Sequence, residues 1–135
     1  MTRSAFVTGG TGFVGLNLVQ KLKSDGWDVT ALHRASSDLS FLKRFEPHLA
    51  KGEITDAASM LAALPEGVDT LFHVAGNTNM WRKGNAQQTL ENVEGTRNVV
   101  EAAIAKGVRR LVVTSTISAY GPVSGAITED TRSLA

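Results

Sequence analysis

Residues 5–15, Ala-Phe-Val-Thr-Gly-Gly-Thr-Gly-Phe-Val-Gly, constrain this chain more than any other segment. A short apolar run meets Gly9, Gly12 and Gly15, and an apolar, helix-compatible segment follows directly. That order predicts a buried strand, a tight turn and a helix whose N-terminus faces the turn. Each glycine has its own task in such a junction. The first permits the turn, the second lets backbone N–H groups approach a diphosphate, and the third lets helix and strand pack closely. The helix end adds unpaired N–H groups and a positive dipole.

Composition narrows the class. The chain has 135 residues, 42% hydrophobic and 20% charged, which suits one globular domain with a real core. A net charge of +1 gives no case for nucleic acid or an anionic membrane as partner. There is no cysteine, which excludes disulfides and thiolate chemistry and accords with a reducing, cytoplasmic compartment. No apolar run approaches the ~18 residues of a membrane span. Glycines cut the stretch behind Arg3, so it reads as a buried strand rather than a signal peptide.

Along the chain, strands alternate with helices. Strands are expected at 4–8, 29–33, 48–52, 68–74 and 110–115. Helices are expected at 13–24, 38–45, 56–64 and 85–106, with Phe13, Val14, Leu16, Val19 and Leu22 forming the apolar stripe of the first. Residues 117–135 read as loop. Such alternation implies βαβ units, a parallel sheet and a doubly wound α/β (Rossmann) fold in the order 3-2-1-4-5. The fifth strand is then an open edge that invites association between copies.

By the fifth strand several motifs agree. They are Gly-Gly-Thr-Gly-Phe-Val-Gly at 9–15, Phe-His-Val-Ala-Gly at 72–76, Asn-Val-Glu-Gly-Thr-Arg-Asn at 92–98 and Val-Val-Thr-Ser-Thr-Ile-Ser-Ala-Tyr-Gly at 112–121. In them the chain resembles the extended branch of the short-chain dehydrogenase/reductase family, most closely bacterial relatives of dihydroflavonol reductase and of sugar epimerases. The resemblance implies an NAD(P) cofactor held by Gly9, Thr11, Gly12, Phe13, Val14 and Gly15, with Val74, Ala75, Gly76, Thr114 and Ser115 at the strand ends. It implies adenine contacts from Glu53 and Ile54, although the family usually has aspartate where this chain has Glu53. Asn92 matches the asparagine that organises active-site water. Thr116 matches the catalytic serine or threonine that holds the substrate oxygen. Ser115 is its rival, and because side chains alternate along a strand the two are expected to face apart.

The end of the second strand chooses between the two nicotinamide cofactors. A reader of NAD needs a carboxylate there for the ribose 2′-OH. Asp28 comes too early, and His33, Arg34, Ser36 and Ser37 stand at the strand end. A planar guanidinium beside hydroxyls suits a 2′-phosphate, which favours NADP. Gly95 inside the long helix costs about 1 kcal/mol against alanine, so close packing on the sheet is expected to compensate. His73 is expected to be a packed, hydrogen-bonded core residue, and no metal site is assigned.

The family's proton donor is a tyrosine followed four residues later by lysine. The one tyrosine here, Tyr120, has Ser124 in that position, and no lysine follows Lys106. The expectation is therefore the cofactor half of a longer enzyme, without its substrate lobe and inactive alone. The parent would transfer hydride between NADP(H) and a small-molecule carbonyl or alcohol. An NAD-dependent sugar epimerase or dehydratase, and a non-catalytic NADP-binding redox sensor, stand as alternatives.

Overall fold

In the computed structural model, which describes residues 1–134, the first apolar run becomes the middle strand of a five-stranded parallel sheet. The elements are β1 (Ser4–Thr8), α1 (Phe13–Ser24), β2 (Asp28–His33), β3 (His48–Lys51), α2 (Ala57–Ala63), β4 (Thr70–His73), α3 (Asn85–Thr89), α4 (Gly95–Ala105) and β5 (Arg110–Val113). The sheet runs β3-β2-β1-β4-β5, as the alternation predicts. β2 pairs with one side of β1 and β4 with the other. The winding therefore reverses at β1, and in such folds a ligand crevice opens at the carboxyl ends of the strands where it does.

β1 is buried on both faces, as a parallel strand between helical layers must be. Ala5 and Val7 pack with Val19 and Leu22 of α1, Val29 and Ala31 of β2, and Leu42. Phe6, between them in sequence, joins the opposite core with Leu71, Met60, Val99, Ala102 and Ala103. The amino ends of β1 and β4 are pinned by Asp69. Its Oδ2 accepts from the Ser4 N–H at 2.8 Å and the Ser4 hydroxyl at 3.1 Å.

The structure departs from the sequence expectation at five places. Of 38–45 only Leu42–Phe45 is helical, as a single 3-10 turn. The Asp38 carboxylate accepts the Ser40 N–H at 2.9 Å, a local bond that competes with helix. The helix expected at 85–106 is interrupted between α3 and α4 by a π-helical stretch, Leu90–Glu94. Gly95, directly after it, packs against Ile54 rather than against the sheet itself: a Cβ there would lie 2.8 Å from Ile54 Cδ1. Ile117–Tyr120 forms a 3-10 turn where a loop is expected. Finally, Phe13 and Val14 are 85% and 56% exposed and lie outside the core stripe, because they start α1 beyond the sheet's edge.

Candidate functional site

The β1–α1 turn is shaped by three glycines with three different surroundings. Gly9 has φ +72, and a Cβ on it would stand 2.6 Å from the Ala75 nitrogen at the exit of β4. A Cβ on Gly15 would collide with the carbonyl oxygen of Gly9. Both positions are glycine because the protein presses on them. Gly12 differs: a Cβ there would meet only the Gly9 oxygen, at an ordinary 3.5 Å. Nothing in the chain demands glycine at 12, so the open side of the turn is where a bulky group fits against backbone. α1 begins at this turn with no side-chain cap and no acidic residue in its first turn. Its leading N–H groups and the positive end of its dipole remain available to an anion. A diphosphate fits that donor set.

The β4 exit is tied to this turn by buried and part-buried hydrogen bonds. Thr8, the last residue of β1, pairs in register with His73, the last of β4. The Thr8 Oγ1 accepts N–H bonds from Val74 at 3.2 Å and Ala75 at 3.1 Å, and lies 2.8 Å from His73 Nδ1. His73 is 2% exposed and its other nitrogen lies 2.9 Å from Thr96 Oγ1 on α4. This is the packed, hydrogen-bonded histidine the sequence predicts. Burial pushes its imidazole below the ordinary histidine range.

At the β2 and β3 ends, a hollow of about 310 Å³ is lined by Arg34, Ala35, Lys51, Gly52, Glu53 and Ser59. Sequence reading missed Lys51 here. The signal was available, since a residue ending β3 lies beside the end of β2, and His33 and Lys51 are register partners. The Ser37 Oγ accepts the Arg34 N–H at 3.0 Å and shapes the turn, while Ser36 is exposed within it. Glu53 donates its N–H to Ser59 Oγ at 2.8 Å. Ile54 places its side chain in the core against Gly95, with 7% of it exposed. Asp28 sits at the opposite, amino edge of the sheet and pairs with His48 at 3.0 Å.

Beyond β4, Asn92 holds the outgoing loop from the π-helical stretch. Its Oδ1 accepts the Asn77 N–H at 2.7 Å and its Nδ2 donates to the Asn77 carbonyl at 2.8 Å. Gln88 donates to the carbonyls of Asn77 and Asn79. Hydrogen bonding from Gln87, with a smaller influence of Asn77 and the Arg34 charge, holds the Glu91 carboxyl below its usual range.

Beyond β5, a hollow of about 480 Å³ includes Ser115, Thr116, Tyr120 and Ser133 in its lining. The strand ladder ends at Val113, extended by a Thr114 N–H to His73 carbonyl bond at 3.0 Å. Ser115 and Thr116 thus lie past the strand, and both border the same hollow. The alternation that would have turned them apart does not operate there. Thr116 Oγ1 accepts the Ser118 N–H at 3.2 Å and so caps the following turn. Among the described residues no hydrogen bond joins Thr116 to Asn92, and no group of three or more His, Cys, Asp or Glu could hold a metal.

Residues 5–134 match the NAD dependent epimerase/dehydratase family. This chain belongs to that family. A Synechocystis sp. protein named "Putative dihydroflavonol 4-reductase" is 41% identical over 116 residues, covering 86% of this chain and 33% of that protein. The "3 beta-hydroxysteroid dehydrogenase/Delta 5-->4-isomerase" of Mycobacterium tuberculosis is 39% identical, over 83% of this chain and 31% of its own length. The chain thus spans about a third of these relatives. Among solved structures, a UDP-glucose-4-epimerase from Stenotrophomonas maltophila with bound NAD matches at a TM-score of 0.84 and 26% identity. That match covers 97% of this chain and 42% of the other. Membership of an NAD-dependent family agrees with the diphosphate-shaped turn, with its place at the reversal of the sheet, and with the epimerase/reductase resemblance in the motifs. No helix among the described residues is long and apolar enough to cross a membrane.

Proposed function

We propose that this chain is the NADP(H)-binding part of an oxidoreductase that reduces a carbonyl or oxidises an alcohol on a small molecule. The observation that carries this reading is the β1–α1 turn. Two glycines there are demanded by internal packing, and a third is left open toward unpaired N–H groups. In this reading Gly9, Thr11, Gly12, Phe13, Val14 and Gly15 surround the diphosphate. Val74, Ala75 and Gly76 line the β4 exit, Glu53 and Ile54 lie toward the adenine, and Thr114 and Ser115 meet the nicotinamide side. When bound, the dinucleotide would give hydride in the reduction or accept it in the oxidation. Thr116 orients the substrate oxygen, and Asn92, which fixes the Asn77 loop, orders water near it.

The preference for NADP rests on charge. Arg34 and Lys51 bring two cations to one hollow at the strand ends, and Ser36, the residue after Ala35, is an exposed hydroxyl in the same turn. A doubly charged 2′-phosphate gains charge-assisted hydrogen bonds there, whereas a ribose hydroxyl gains little. The one acidic residue in that lining, Glu53, comes from β3's exit rather than from the end of β2, where an NAD reader is expected. The absence of cysteine supports a reducing, cytoplasmic setting. Fluorescence titration of NADPH and NADH against wild type and Arg34→Ala tests the preference. Tighter NADPH binding that the substitution abolishes is expected, and equal affinities unmoved by it would end the reading. We further infer that these residues bind the dinucleotide without turning it over, because their one tyrosine, Tyr120, is followed four residues later by Ser124 and they hold no tyrosine–lysine pair of the family's spacing. A clear NADPH-dependent reductase rate would overturn that.

A second reading, an NAD-dependent sugar epimerase, draws on the 26% identical epimerase structure with NAD bound. Oxidised NAD retained through purification would favour it.

A further inference from the structure

Buried Thr8 and His73 and half-buried Thr96 form a polar cluster directly behind the glycine turn, and its hydrogen bonds can be assigned proton by proton. Thr8 Oγ1 receives two backbone N–H groups, from Val74 and Ala75. A hydroxyl oxygen has two lone pairs and one proton, so both acceptor sites are filled and the proton must go elsewhere. The remaining neighbour is His73 Nδ1, 2.8 Å away. Nδ1 is therefore an acceptor and carries no proton. A neutral imidazole then carries its proton on Nε2, which donates it to Thr96 Oγ1 at 2.9 Å. One tautomer satisfies every partner. The Nδ1–H tautomer sets two donors face to face, and a doubly protonated ring makes a third donor compete for the Thr8 oxygen.

We propose that His73 is a positioning residue for the dinucleotide cradle. As the neutral Nε2–H tautomer it draws off the Thr8 proton, which keeps the Thr8 oxygen turned to the Val74 and Ala75 N–H groups. That clamp holds the β4 exit against Gly9, whose Cα leaves no room for a side chain beside Ala75. Through Thr96 the same ring reaches α4, one helical turn after Asn92 and its grip on the Asn77 loop. A single imidazole thus links the diphosphate turn, the floor beneath the cofactor and the helix that fixes the loop beyond it. The inference rests on the reading that a dinucleotide occupies the β1–α1 turn. It adds a residue that does not touch the ligand but sets the shape the ligand meets.

The consequence is a dependence on acid. The ring's partners are Thr8 from β1 and Thr96 from α4, while the Thr114 N–H after β5 meets the His73 carbonyl; none of these groups titrates. Burial alone disfavours the imidazolium. Protonation, when acid forces it, removes the acceptor at Nδ1 and releases the clamp.

Two variants separate the two arms of the ring. Asparagine carries its amide at the level of Nδ1 and can still accept from Thr8. Glutamine carries its amide at the level of Nε2 and cannot. NADH is the probe, since it lacks the 2′-phosphate that titrates in the same range. His73→Gln is expected to weaken NADH binding about tenfold, the scale of one buried hydrogen bond left unmade. His73→Asn should stay within about threefold of wild type and lose the fall in affinity that wild type shows on acidification. Faster amide exchange at Val74 and Ala75 in His73→Gln alone would place the effect in the clamp.

Nitrogen NMR of the wild-type ring is the check that needs no variant to fold. Protonated Nε2 with bare Nδ1 is expected, and the opposite tautomer overturns the inference. So does His73→Gln binding as wild type does. Wild type that binds neither NADH nor NADPH would overturn the cofactor reading instead, and the ring spectrum and amide exchange would still decide whether the clamp exists.

Discussion

β1 and β5 are both apolar, parallel and four or five residues long, yet they live in different worlds. In β1, Ala5, Phe6, Val7 and Thr8 are all 2% exposed or less. In β5, Val112 and Val113 are 42% and 44% exposed, because the strand ends the sheet with one neighbour, β4. The candidate cofactor cradle grows from the enclosed strand and the candidate substrate end from the open one. The cradle is made of backbone and of glycines, fixed by packing that leaves no alternative. The substrate end is made of hydroxyls on exposed turns, where local caps such as that of Thr116 supply the order. The enclosed half dictates one geometry, and the open half leaves its geometry to whatever covers it.

The largest effect should separate two glycines within the cradle. Gly15→Ala drives a methyl group into the Gly9 carbonyl, and we expect it to cost about 4 kcal/mol or more, or to prevent folding. Gly12→Ala meets nothing closer than 3.5 Å. It should stay within about 1 kcal/mol of wild type in thermal denaturation while losing dinucleotide affinity. A large stability loss at 12 would refute the division of roles. The strands themselves come next. Phe6→Ala should cost about 3–5 kcal/mol in urea unfolding, and Val113→Ala less than about 1 kcal/mol. Similar costs at both positions would mean that β5 is covered in solution.

Smaller effects sharpen the same contrast. Arg34→Ala acts on exposed chemistry, so we expect at least a tenfold loss for NADPH, about 1.4 kcal/mol, with NADH affinity and thermal stability unchanged. The smallest concerns acid. Asp69 holds its carboxyl below the ordinary value of 3.8 through the Ser4 N–H, then the Ser4 hydroxyl. A lowered folded pKa stabilises the fold above that ordinary value, and the contribution is lost as pH falls through the folded one. Asp69→Asn should flatten the acid limb of the unfolding curve, and an unchanged limb would show that Ser4 does not hold this carboxyl.

Legibility in the sequence follows this enclosed-versus-open divide. The sheet order and the glycine turn could be read directly, because strands buried on both faces must be continuous apolar runs and a tight βα junction has few solutions. The failures lie where a local side chain or a distant neighbour decides. Asp38 captures the Ser40 N–H and denies 38–41 a helix. Phe13 and Val14 read as core by hydrophobicity, but the helix starts beyond the sheet and leaves them out. Nothing in a 3.6-residue period marks the π-helical stretch before Gly95, where Asn92 grips Asn77 on one side and Gly95 abuts Ile54 on the other. Lys51 needed the β2–β3 register before its neighbour Arg34 could be seen.

The hollow of Arg34 and Lys51 draws its backbone from strand ends whose folding is secured elsewhere, by Leu32, Leu42 and the two cores. Its charge can consequently be rewritten without renegotiating the architecture. If the proposed cofactor reading holds, swapping those few side chains for acidic ones should shift preference from NADP toward NAD while leaving the glycine turn untouched.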